Sequence, residues 1–192
     1  MVRIFIFIFS TLFLVSNILP ERTRDKERQE LRNLYRENKY KELIPKLELY
    51  TESFPEEKLF FLFLAKSYLY RDDLKSPVDL KDPFENESSF SILRENYSLS
   101  SKLFSKYIPE LEYVDNTQKW EDWYFYWGLS ELMLGQKSKA YHLFQKSSKY
   151  DSTRPDVYYN MGVLSLETGN LTEAHKNFIK YKNLNEKIQF QK

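Results

Sequence analysis

The apolar positions along this chain recur in blocks, and one block occurs twice. "WYFYWGLSELMLGQKSKAYHLF", Trp123 to Phe144, begins with five aromatics, places a glycine inside the apolar run and another seven residues later. "VYYNMGVLSLETGNLTEAHKNF", Val157 to Phe178, repeats it at an offset of 34 residues. Tyr158 falls on Tyr124, Gly162 on Gly128, Leu166 on Leu132, Gly169 on Gly135, Ala174 on Ala140 and Phe178 on Phe144. A period of this length is that of a helix-turn-helix unit, which buries its apolar face only by stacking on the next copy. Glycine in a helix interior costs about 1 kcal/mol against alanine. Gly128 and Gly162 are therefore expected where the two helices of a unit cross too closely for a Cβ. Gly135 and Gly169 are expected in the turn, in a left-handed backbone.

The order of aromatic, small residue, turn glycine, alanine and aromatic at this period resembles the tetratricopeptide repeat family. Tyr124, Trp127, Gly128, Ala140 and Phe144 hold the characteristic places in a unit spanning about 121–154, and Tyr158, Met161, Gly162, Ala174 and Phe178 in one spanning 155–188. Glu131 and Ser165 stand where a further aromatic is usual, and Ser152 and Glu186 where a closing proline is usual. The resemblance implies an all-α fold, a right-handed superhelical stack of helix-turn-helix units over residues 21–192.

The same ruler extends to the first half. Ala65 takes the crossing position, flanked by Phe61, Leu64 and Tyr68, and Pro55 closes the unit before it, 24–57. That unit has Tyr40, Leu43, Leu47 and Tyr50 on its second helix, and only Leu31 and Leu34 as aliphatic anchors on a charged first helix, as suits a terminal cap. Pro45 predicts a kink or a late helix start. The remaining unit, 58–114, is interrupted by an insertion at 73–95. Its second-helix pattern resumes at Tyr97 to Tyr107, with a short helical turn expected at Phe90 to Arg94.

Composition narrows the chemistry. With 192 residues, 42% of them hydrophobic and 17% aromatic, the chain can bury a core, and its net charge of +1 argues against a nucleic-acid partner. The absence of cysteine excludes disulfides, thiol catalysis and lipid attachment through a thiol. "MVRIFIFIFSTLFLVSNILP", residues 1–20, has one basic residue and an apolar run from Ile4 to Val15, the pattern of an export signal or an N-terminal membrane anchor. Export to the periplasm or cell envelope is expected. The alternative is an anchor that leaves the repeats cytoplasmic, favoured by Arg22, Arg24, Lys26 and Arg28 after the run.

The repeat accounts for all four glycines, so none is left for a phosphate-cradling loop, and no cofactor or metal is expected. His142 and His175 fall at different places on their helices. An enzyme would need a carboxylate pair such as Glu131 with Glu167. Sequon-like triplets stand at Asn86, Asn96 and Asn170. The resemblance implies instead a concave face lined by first helices. By register that face carries Leu62, Phe63, Lys66, Tyr70, Phe125, Tyr126, Leu129, Met133, Tyr159, Asn160, Val163 and Glu167. It is mainly apolar and aromatic and suits an apolar helix or extended segment of a protein or peptide partner. The same face could instead serve self-association as a homo-oligomer.

Overall fold

The computed structural model describes residues 21–71, 87–115 and 117–189. Among these, eight helices follow in order: α1 (Glu21–Arg36), α2 (Tyr40–Ser53), α3 (Lys58–Leu69), α4 (Glu87–Glu112), α5 (Trp120–Met133), α6 (Lys137–Tyr150), α7 (Pro155–Glu167) and α8 (Leu171–Gln189). They pair as α1/α2, α3/α4, α5/α6 and α7/α8, and each pair packs on the next. The fold is all-α, a stack of helix-turn-helix units.

The small residues lie at the crossings. A Cβ built on Gly128 would stand 2.6 Å from Cε1 of Phe144, and one on Gly162 would stand 2.7 Å from Cε1 of Phe178. The close approach is thus made by an aromatic ring of the second helix, whose edge lies against the first. Ala140 and Phe144 are fully buried on α6. In the second unit Ala65, Ser100 and Phe104 hold the corresponding buried places, and in the first unit Leu31, Leu43 and Leu47 do.

Three of the intra-unit turns share one hydrogen-bond pattern. The Gly135 amide donates to Leu132 O at 2.9 Å and the Gln136 amide to Glu131 O at 2.8 Å. Gly169 and Asn170 repeat this onto Leu166 and Ser165 at 3.0 and 2.9 Å, and Asn38 and Lys39 onto Tyr35 and Leu34 at 3.2 and 3.0 Å. This is the paired closure of a helix end that needs a left-handed residue. Gly135 and Gly169 adopt φ 77°, and Asn38 supplies φ 56° in the first unit. Asparagine tolerates that region better than other side chains.

Two expectations need correction. The helix of the second unit begins at Glu87, so residues 87–95 belong to α4, and no separate turn exists at Phe90 to Arg94. Leu93, Asn96, Tyr97, Ser100, Ser101, Phe104, Tyr107 and Ile108 form one continuous buried stripe at helical spacing. Polar side chains occupy several of its places, which hides the stripe in the sequence. Pro45 does not delay its helix, because α2 starts at Tyr40. Placed in the second turn and exposed, the proline removes only the amide that would bond back to Lys41. The segment 1–20 lies outside the described residues, as does most of the insertion. No helix among the described residues is long and apolar enough to cross a membrane.

Gly128→Ala is expected to destabilise by about 1–3 kcal/mol, because the new methyl overlaps the Phe144 ring. Adding Phe144→Leu should recover part of that loss, so a double-mutant cycle by urea denaturation should give a favourable coupling energy.

Candidate partner-binding face

The first helices α1, α3, α5 and α7 share one side of the stack, and aromatic rings run along it. Tyr35 stacks on Phe63 with ring centroids 4.1 Å apart. Trp123 stands 6.1 Å from Phe63 and 6.2 Å from Tyr126. Tyr70 meets Tyr126 edge-on at 5.7 Å. The Lys66 ammonium lies among these rings, 4.6 Å from the Tyr126 centroid, 4.8 Å from Tyr35 and 6.0 Å from Tyr40. It has no carboxylate partner among the described residues and lies against ring faces. Beside it opens a cleft of about 290 Å3 lined by Tyr35, Lys66, Thr117, Gln118, Lys119, Asp122, Trp123 and Tyr126. Burial pushes the Tyr35 and Tyr70 phenols well above their ordinary range, so both stay protonated donors.

The residues expected on this face divide into three groups. Leu62, Phe63 and Phe125 are buried, at 0%, 8% and 5% exposure, and belong to the packing between units rather than to an open surface. Phe63 lies between Tyr35 of the preceding unit and Trp123 of the following one, and Phe125 lies under Arg154. Lys66, Tyr70, Tyr126, Leu129 and Met133 come together. Lys66 and Tyr70 both meet Tyr126, and Tyr70, Leu129 and Met133 line a second cleft of about 330 Å3 with Tyr68, Arg71, Leu93 and Tyr97. Tyr159, Asn160, Val163 and Glu167 lie on α7 of the last unit, with Tyr159 and Glu167 exposed. The sequence reading missed Tyr35, whose place one turn after Leu31 on the same helix face was the available signal.

Glu131 has a structural explanation. At 2% exposure it accepts hydrogen bonds from Ser101, from Trp127 Nε1 at 3.0 Å and from the Lys139 ammonium at 2.6 Å. Next to it Ser100 and Ser130 hydrogen-bond at 2.8 Å across α4 and α5. Burial raises its pKa, but Lys139, Ser101 and Trp127 outweigh burial and hold it below the usual carboxylate range. Glu167 is exposed and paired with Lys137 at 3.1 Å. Each carboxylate thus has its own lysine, and Glu131 is held ionised, the reverse of a general acid's requirement. Asn96 is buried and hydrogen bonding occupies Asn170 Oδ1 with the Glu173 amide at 3.2 Å. Asn86 lies outside the described residues.

No family model matches this sequence, and no curated protein does. Among solved structures the chain is similar to crystal structures of MamA. One shares 19% identity over 87% of this chain and 94% of that chain, with a TM-score of 0.47. MamA from Desulfovibrio magneticus RS-1 shares 13% identity over 85% and 95%, with a TM-score of 0.46. At these identities the likeness concerns the arrangement of helices and nothing further.

Two outcomes test these placements. Phe125→Ala should destabilise by about 3–5 kcal/mol, as loss of a buried ring does, read from the midpoint of urea unfolding. Glu131→Gln should cost about 1–3 kcal/mol at neutral pH. A depressed carboxylate stabilises above its unfolded pKa and loses that contribution as pH falls through its folded pKa. The advantage of the parent over Glu131→Gln should therefore shrink as pH drops below the ordinary value of 4.5.

Proposed function

We propose that this chain is a non-enzymatic interaction scaffold of the cell envelope, which holds an apolar helix or extended segment of a partner protein on the aromatic side of its stack. The observation that carries this reading is the half-open strip of Tyr35, Lys66, Tyr70 and Tyr126. It exposes ring faces and a lysine that has no carboxylate partner among the described residues, beside a cleft of about 290 Å3. Tyrosines of this kind offer large contact area at small entropic cost. Met133, 45% exposed, extends the apolar surface at the C-terminal end of α5 with an adaptable side chain. The envelope assignment rests on the apolar run from Ile4 to Val15 behind Arg3. Self-association through the same strip is the second reading, supported by the same exposed rings.

The full chain is used as bait in envelope extracts beside its Tyr70→Ser/Met133→Ser variant. Both substitutions are at exposed positions, so the melting temperatures should agree within about 2 °C. A partner that depends on the strip should be retained about tenfold less by the variant. Equal retention would remove the strip from the function, and a parent that sediments as a dimer broken by the same substitutions would establish self-association instead. Cell fractionation should recover the full chain with the envelope; recovery in the soluble cytoplasmic fraction would reject that localisation.

A further inference from the structure

Three junctions join the four units, and each is anchored by the residue eight positions ahead of the crossing small residue or leucine. At the first junction this is Glu57, which accepts from Arg28 Nη2 at 2.6 Å and also from Arg24. At the second it is Trp120, buried in the core with Leu62 and donating through Nε1 to Asp115 O at 3.0 Å. At the third it is Arg154, which pairs with Asp122 and lies 3.9 Å over the Phe125 ring. The receiving places are six and three residues before the crossing position: Asp25 and Arg28, Leu59 and Leu62, Asp122 and Phe125.

The fourth unit carries the receiving pair again, as Asp156 and Tyr159, and among the described residues no cation is seated on it. Asp156 is exposed and has no ion pair among the described residues, and Tyr159 is 48% exposed. The seat is nevertheless built. Tyr159 stands 6.2 Å from Phe178, as Phe125 stands 5.6 Å from Phe144, and Tyr181 braces it at 5.3 Å. Leu166 and Ile179, 53% and 46% exposed, continue an apolar surface on the same unit. An apolar face of this kind on a repeat unit is normally covered.

We infer that the end face of the fourth unit is a docking site for a partner protein's helix that opens with an arginine and carries apolar residues three and seven positions later. The third junction supplies the template. There the incoming helix presents Arg154 to the carboxylate and ring, then Val157 and Met161 to the core. A second copy stacking head-to-tail does not satisfy it, because the first unit offers Thr23, Lys26 and Glu30 at those three places, all exposed and polar. This surface lies beyond the aromatic strip and does not depend on it.

The probe is a fluorescein-labelled synthetic peptide of residues 151–167, titrated against the full chain by anisotropy. Saturable binding is expected. Asp156→Lys should weaken it about tenfold, because it removes the ion pair and sets a like charge against the incoming arginine. An Arg154→Glu peptide should bind the parent about tenfold more weakly and regain at least about threefold on the Asp156→Lys protein. Circular dichroism should show both proteins equally folded, and Asp156→Asn serves as the milder variant if Asp156→Lys unfolds. The Tyr70→Ser/Met133→Ser protein should bind the peptide as the parent does, whatever becomes of its partner capture. No saturable binding, or affinity indifferent to the charges at both positions, would overturn the proposal. So would a parent dimer that Asp156→Lys dissociates, since the face would then serve a second copy.

Discussion

The third and fourth units of the stack depend on one contact, a bulky side chain of the second helix lying against the least bulky point of the first. At Gly128 the ring edge stands where a Cβ would be, so the approach exists only because that atom is missing. The balance favours this arrangement. A helix-interior glycine costs about 1 kcal/mol, whereas a phenylalanine buries roughly 150–250 Å2, worth about 4–6 kcal/mol at 25 cal/mol per Å2. The first unit solves the same packing problem differently, with Leu31, Leu43 and Leu47 sharing the volume that glycine, alanine and phenylalanine divide elsewhere. Close packing conserves the summed volume and leaves its distribution free.

That freedom decides what could be read in the sequence. The third and fourth units were legible because glycine admits few substitutes, so Gly128, Gly135, Gly162 and Gly169 mark crossings and turns directly. The turn of the first unit was hidden, since Asn38 reaches the same left-handed region with a side chain common in loops. The start of α4 was hidden because Asn96, Ser100 and Ser101 take core places usually held by apolar residues. Serine can sit there because its hydroxyl finds a partner, as Ser100 does in Ser130 and Ser101 in Glu131.

The candidate face was legible only in part, for a geometric reason. Helical register tells which residues point to the inner side of a first helix, but not how far the next unit rises over them. Phe63 is covered by Tyr35 and Trp123, from the units before and after its own, and Phe125 by Arg154 of the following unit. Lys66 escapes this because its long stem carries the ammonium past the packed layer to the ring faces of Tyr35 and Tyr126. Only contacts between units, which a single-unit register cannot contain, separate core from surface here.

Those contacts also fix the order of the units. A stack of identical apolar junctions would tolerate exchange of one unit for another, since non-directional burial does not distinguish neighbours. Here the first junction is ionic, Glu57 on Arg24 and Arg28; the second buries the Trp120 indole in the apolar core and, elsewhere between the same two units, the polar cluster around Glu131; the third sets a cation on Asp122 and Phe125. Bringing the fourth unit onto the first would press Arg154 against Arg28, and bringing the second onto the third would press Glu57 against Asp122. Like charges at such a seat cost more than the apolar surface around it distinguishes. The buried Glu131 cluster belongs to the same logic: such a group adds little net stability beside an apolar replacement, but its three donors come from α4, α5 and α6 together. Only the correct succession of second and third units satisfies it.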